Sequence, residues 1–82
     1  MNAARRSREA VKASNAIAYC IGTSREIEAR AQAGRKHIQA SRAHWDEGNA
    51  PQSRAHLRTA EALKEDIERL LAKVLEARGA LE

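Results

Sequence analysis

The sequence predicts an all-α protein: a long antiparallel helical hairpin with coiled-coil-like heptads and an N-terminal helix or helical extension, packed into an oligomeric helical bundle. Three observations indicate this fold. Strong helix formers, above all alanine, arginine, glutamate and leucine, dominate the 82 residues. One strong helix-breaking segment, Gly48-Asn49-Ala50-Pro51, interrupts them. On both sides of it, apolar or small residues recur at alternating steps of three and four, the spacing of paired helices.

The first half of the chain contains a second, weaker breaking signal. Thr23 and Glu26 have the spacing of a capping box, and Gly22 suits the end of a preceding helix. We therefore predict one helix over about 3–21 and another over about 24–47. Because the spacing of three and four continues through this segment without a slip, a single continuous helix over about 3–47 is the alternative, with a kink at Gly22 as a compromise between the two.

Small residues dominate the predicted inner seam of the first half, and such residues allow two helix backbones to approach closely. The members of this seam are Ala10, Ala13, Ile17, Cys20, Ser24, Ile27, Ala31, Gly34, Ile38, Ser41 and Trp45.

The turn residues predict how the hairpin reverses direction. Gly48 suits the left-handed position after a helix end, and Asn49 suits the cap of the next helix. Pro51 is tolerated in the first turn of a helix. We therefore predict a turn at 48–50 and a helix over about 51–80.

The second helix carries a Leu-rich seam. Its predicted members are Ala60, Leu63, Ile67, Leu70, Val74, Ala77 and Leu81. Leu57, Leu71 and Leu75 widen this stripe beyond what one small-residue neighbour covers, so we predict that these three, with Trp45, bind a partner.

With the tip near residue 49, the hairpin sets Ile27 opposite Leu71 and Ile17 opposite Leu81. Residues 1–16 then have no partner on the second helix. They fold back as a third helix, pair with another copy, or project as a basic arm.

Size and composition favour association. The chain is 43% hydrophobic, but 18 of those residues are alanine, which leaves 17 larger apolar side chains. Ordering each residue costs about 1.5 kcal/mol. For a lone chain of this length, that cost roughly equals the free energy gained by burying the apolar side chains. We therefore predict a homo-oligomer, with a dimer as the first choice, or a complex with another protein.

Charge is unevenly distributed along the chain. Residues 1–44 carry nine basic and three acidic residues, whereas residues 45–82 carry six basic and eight acidic ones. Arg5, Arg6, Arg8 and Lys12 lie near a helix N-terminus, where basic side chains oppose the helix dipole. Contact with a phosphate backbone or an acidic protein surface explains them better, so RNA or DNA binding is the alternative function.

The sequence contains no catalytic, cofactor or metal motif that stands out from background. The hairpin brings His44 near His56, and His37 lies on the same side of its helix, but none has the spacing of a metal site. The one cysteine, Cys20, excludes an intrachain disulfide, and no apolar stretch is long enough to span a membrane. We therefore expect no enzymatic activity, no cofactor, no bound metal, and a cytoplasmic location.

These features predict a non-enzymatic protein–protein interaction module: a small regulator, inhibitor or chaperone-type adaptor. It would act by self-association, by docking its Leu-rich helix on a partner, or by both.

The turn region also resembles a known family. The residues that carry the likeness are Ala43-His44-Trp45-Asp46-Glu47-Gly48-Asn49-Ala50-Pro51, then Leu57 and Ala62-Leu63. They are similar to the small co-chaperones of type III secretion needle subunits, the YscE-like family. The likeness covers about 25 residues. It implies a helical hairpin that helps to hold an aggregation-prone subunit in the cytoplasm.

Overall fold

The computed structural model describes residues 2–79 and residue 81, with the side chains of 3–79 and 81. Helix α1, Asn2–Asp46, and helix α2, Ala50–Gly79, pack side by side in opposite directions. The predicted helical hairpin is confirmed. It measures 70 × 14 × 13 Å. Its radius of gyration is 19.4 Å, against about 12 Å for a globular chain of this length.

The turn between the helices has the predicted chemistry. Gly48 adopts a left-handed φ of 79°. Its amide donates to the carbonyl of Trp45 at 3.0 Å, and the amide of Asn49 donates to that of His44 at 2.7 Å. This pair of bonds is the Schellman motif, which satisfies carbonyls at a helix end. The Asn49 side chain then accepts from the amide of Gln52 at 3.3 Å and caps α2.

Helix α1 runs without interruption through Gly22, so the predicted break between residues 21 and 24 is wrong and the single-helix alternative is correct. Thr23 faces α2 and is buried, and the Ser24 hydroxyl donates to the carbonyl of Cys20 at 2.7 Å. Glycine inside a helix costs only about 1 kcal/mol relative to alanine. Packing against α2 on both sides of Gly22 outweighs that cost.

The predicted seam of α2 is confirmed over most of its length. The partly buried members are Ala60, Leu63, Ile67, Leu70, Val74 and Ala77. Leu81 is 43% exposed beyond the last helical residue, Gly79. Ala80, where the helix was expected to end, lies outside the described residues. Towards the turn, the same spacing continues inward through Ser53 and His56.

The inner seam of α1 differs from the prediction at five of its eleven positions. Ala13, Cys20, Ile27, Gly34 and Ser41 face α2 as expected, and Ala31 is partly buried beside Arg30. Ala10 is exposed ahead of the paired region. Ile17, Ser24, Ile38 and Trp45 are exposed and the residue before each faces α2 instead, because α1 is rotated relative to the expected orientation. The observed seam is Ala13, Ala16, Cys20, Thr23, Ile27, Arg30, Gly34, His37, Ser41 and His44. This series also alternates steps of three and four.

The register of the two helices is one turn away from the predicted one. The Cys20 thiol lies 4.0 Å from the carbonyl of Val74, and the hydroxyls of Ser41 and Ser53 lie 2.8 Å apart. Interpolation between these two pairs sets Ile27 level with Ile67, not with Leu71. The prediction placed the tip near residue 49, but Asn49 already caps α2, so the chain reverses earlier.

The earlier reversal shortens the unpaired segment. Ala16 lies beside Lys73 and Ala77, so α1 pairs with α2 from about residue 13 onward. The preceding residues, 3–12, continue the same straight helix beyond the end of α2. Of the three arrangements considered for the N-terminal segment, the single chain adopts the projecting arm.

The hairpin has a thin interior. Among the described residues, no apolar side chain is buried, and the buried side chains are Thr23, Ser41 and Ser53. The chain exposes 6557 Å², about 1,700 Å² more than a globular monomer of this mass. Two helices side by side shield only one stripe each, so most apolar surface stays in contact with solvent.

Candidate interaction surface

The rotation of α1 places its largest apolar side chains outside the hairpin. Ile17, Ile38 and Trp45 were expected in the seam, but all three are exposed, and Trp45 is 63% exposed. Trp45 therefore does not pack inside the hairpin, as its place in the predicted inner seam implied. It lies beside Gly48 and Ala50 at the surface of the tip.

These side chains share one side of the molecule with the exposed leucines of α2. Ile38 and Leu57 line the same groove between the helices. Residues seven apart return to the same side of a helix packed at this spacing. Ile17 and Trp45 therefore align with Ile38, and Leu71 aligns with Leu57. Ile21 and Leu75 follow one turn after Ile17 and Leu71. We call this set the apolar face: Ile17, Ile21, Ile38, Trp45, Leu57, Leu71 and Leu75.

A shallow groove of about 340 Å³ lies at the centre of the apolar face. Its floor is made of small and aliphatic side chains, among them Ala31, Gly34 and Ala60, and Ile38 and Leu57 bound it towards the tip. A Cβ added at Gly34 would meet nothing within 4 Å. Packing against α2 therefore does not require glycine there, and the depth of the groove is open to an incoming side chain.

Charged side chains border this groove. Arg30, Arg35, Glu61 and Lys64 stand around the small residues of its floor. Lys64 lies 3.9 Å from Glu68 on the next turn of α2. An apolar centre with a charged rim is the composition of protein interfaces.

The opposite side of the hairpin is more polar. Its groove is lined by Asn15, Lys73 and Glu76, with Tyr19 as the large apolar side chain. Tyr19 is 44% exposed and Leu71 on the apolar face is 45% exposed, so individual exposure does not distinguish the two sides. The difference lies in the clustering of large apolar residues on one side only.

A polar layer near the tip faces the interior. Nδ1 of His37 and Nδ1 of His56 lie 2.9 Å apart, and the ring of His44 stacks on that of His56 with centroids 5.3 Å apart. The Ser41–Ser53 hydroxyl pair is next to them. Because the His37–His56 and Ser41–Ser53 contacts exist only between the helices, they favour the rotation that sends Ile38 and Trp45 outward. Within residues 3–79, no three His, Cys, Asp or Glu side chains are placed to hold a metal ion.

The predicted basic residues all lie on the projecting arm. Arg5, Arg6, Arg8 and Lys12 are exposed, and Arg5 pairs with Glu9 at 3.3 Å. Since α2 ends before this segment, these four side chains have no neighbours on another helix.

All four predicted partner-binding residues, Trp45, Leu57, Leu71 and Leu75, are exposed. Sequence reasoning missed the three isoleucines of the apolar face and assigned two of them, Ile17 and Ile38, to the interior. A second series of three-and-four steps identifies them as exposed. It contains Ala16, Thr23, His37 and His44, each one residue before a member of the predicted seam. That series places polar His37 and His44 inside, so hydrophobicity alone argues against it.

Comparison with known proteins adds no relative: no protein family, curated protein or solved structure matches this chain. The resemblance to the YscE-like co-chaperones therefore rests on the turn residues alone. Neither described helix contains a stretch long and apolar enough to cross a membrane.

Proposed function

We propose that this chain is a non-enzymatic protein-interaction module and that the apolar face is its docking surface. One observation carries the proposal. Seven large apolar side chains share one exposed side, whereas three buried side chains of the hairpin are polar. Large exposed apolar patches are uncommon on monomeric proteins and mark interaction sites.

The amount of exposed surface supports the same function. The excess over a globular monomer, about 1,700 Å², is larger than the roughly 800 Å² that each partner contributes to an interface of standard size. The elongated hairpin therefore exposes enough surface for a partner of ordinary size to cover. A small regulator, inhibitor or chaperone-type adaptor works through such a surface, and the YscE-like co-chaperone role is one form of it.

Site-specific photocrosslinking in cells of the source organism tests this proposal. A benzophenone amino acid replaces Leu71 on the apolar face in one variant and Tyr19 on the opposite side in the other. The two positions are equally exposed, so solvent access is matched. We expect a protein adduct from the Leu71 variant and little from the Tyr19 variant. Equal adducts at both positions, or none at Leu71, would overturn the proposal.

Nucleic-acid binding through the projecting arm is the second candidate function. The observation that favours it is that four basic side chains extend beyond α2, where the chain itself offers no helix to contact. The test is binding to a duplex DNA and an RNA hairpin at increasing salt. Phosphate contacts predict weaker binding as salt rises and after Arg5, Arg6 and Arg8 are changed to glutamine. Binding that is unchanged by added salt and by these substitutions would contradict nucleic-acid binding through the arm.

A further inference from the structure

We infer that the occupant of the apolar face is a second copy of this chain, stacked face to face with its tip pointing the opposite way. This inference rests on the proposed function, because it names the partner of the same surface. The two-fold axis crosses α1 at Ala31 and α2 at Lys64. The result is an antiparallel four-helix bundle in which α1 lies on α1 and α2 lies on α2.

The pattern on α1 is self-complementary about Ala31. Ile17 precedes Ala31 by 14 residues and Trp45 follows it by 14 residues. Antiparallel stacking centred on Ala31 therefore places Trp45 of each copy on Ile17 of the other. Ile21 and Leu75, one turn along, complete an apolar seat for the indole ring.

The pattern on α2 has its centre at the same level. Leu57 and Leu71 each lie seven residues from Lys64, so Leu57 of one copy meets Leu71 of the other. Ala31 and Lys64 line the same groove, which places both centres at one height along the hairpin. A two-fold interface requires a patch that matches itself under one rotation. The two helices meet that requirement with a common axis.

Small residues at the axis allow close contact. Ala31, Gly34 and Ala60 form the floor of the central groove, and the distance between packed helices depends on the side chains at the contact. The two Lys64 side chains approach each other near the axis. Glu61 and Glu68 flank Lys64, and their carboxylates offset that repulsion.

Charge favours opposed tips over tips at the same end. Residues 3–12 carry four basic side chains and Glu9, so each arm has a net charge of +3. Tips at the same end would place two such arms together. Opposed tips separate the two arms. They also bring Glu28 of each copy near Arg35 of the other.

The area available is sufficient for a stable dimer. A standard interface removes about 800 Å² from each partner, roughly half of the excess that each hairpin exposes. In the single hairpin, no described apolar side chain is buried. A second copy would therefore supply the apolar core that one chain lacks.

Thiol crosslinking of the purified chain tests the arrangement. In a Cys20→Ala background, three single-cysteine variants are treated with a short bis-maleimide. Ala31→Cys on the axis is expected to give a dimer band. Ala29→Cys is the matched control, since two residues turn the side chain through about 200° and point it away from the face. Ile17→Cys is expected to stay uncrosslinked, because opposed tips set the two copies of residue 17 about 42 Å apart.

The remaining outcomes separate the two proposals. Sedimentation of the wild type is expected to give twice the chain mass of 9.0 kDa. The Leu71→Gln variant is expected to sediment with the mass of a single chain. Strong crosslinking of Ile17→Cys to itself, or a monomer at high concentration, overturns the antiparallel dimer. If the monomer is found while the Leu71 photocrosslink captures a different protein, only the second copy is refuted. If no adduct forms at Leu71 or Tyr19 and sedimentation gives the mass of a single chain, both proposals fail.

Discussion

Removing one hydroxyl of the Ser41–Ser53 pair should destabilise the hairpin more than removing both. Both side chains are 4% exposed, and their oxygen atoms lie 2.8 Å apart between the helices. Ser41→Ala leaves the Ser53 hydroxyl buried with no partner across the interface. A buried polar group without a partner costs about 1–3 kcal/mol, and alanine returns about 0.5 kcal/mol through its helix propensity. The expected net loss is about 1–2 kcal/mol for each single variant.

The double variant Ser41→Ala, Ser53→Ala leaves no unpaired hydroxyl. It gives up one hydrogen bond of about 1 kcal/mol, which two gains in helix propensity offset, so its stability should be close to that of the wild type. The coupling between the two positions should then exceed about 1 kcal/mol. In a chain of this length, 1 kcal/mol corresponds to a shift in Tm of about 4–8 °C.

Thermal and urea unfolding followed by far-ultraviolet circular dichroism measure these differences. All variants are compared at one protein concentration, because association would make stability depend on concentration. Ser24→Ala is the control. Ser24 is exposed and its hydroxyl bonds only to the local carbonyl of Cys20, so a change within about 0.5 kcal/mol is expected. Additive losses from Ser41 and Ser53 would show that the hydroxyl pair does not act as a unit and would refute the reasoning.

Two further predictions concern the helix path at Gly22 and the turn at Gly48. Gly22→Ala should raise the free energy of unfolding by about 0.5–1 kcal/mol, because α1 is continuous there and an added Cβ meets nothing within 4 Å. Gly48→Ala should lower the free energy of unfolding by about 1–2 kcal/mol, because φ is 79° at that residue. If Gly22→Ala also lowers the free energy of unfolding, the helix breaks at Gly22, as the sequence predicted.

The two proposals together imply competition for one surface. If a second copy covers the apolar face, another protein that docks there must first displace it. Binding of such a partner would then be weaker at high concentrations of the chain, where the dimer dominates. Trp45, as the sole tryptophan and an exposed member of the face, reports both events through its fluorescence.

The sequence alone determined the local elements. The Gly48–Asn49 chemistry defines the end of α1 and the start of α2, since a left-handed glycine and an asparagine cap act through neighbouring backbone atoms. The Leu-rich seam of α2 was also predictable, because its large aliphatic residues occupy a single stripe. In both places, the decisive interactions lie within a few residues of each other or within one helix.

Only the tertiary structure decided the rotation of α1, its register and its continuity through Gly22. Alanine and isolated isoleucines occur all round α1, so two series of three-and-four steps compete, and hydrophobicity alone favours the series that the structure does not adopt. The choice depends on partners across the interface: Ser41 finds Ser53, and His37 finds His56. Those polar contacts turn Ile17, Ile38 and Trp45 outward, and the exposed face that they create with the leucines of α2 is visible only once both helices are in place.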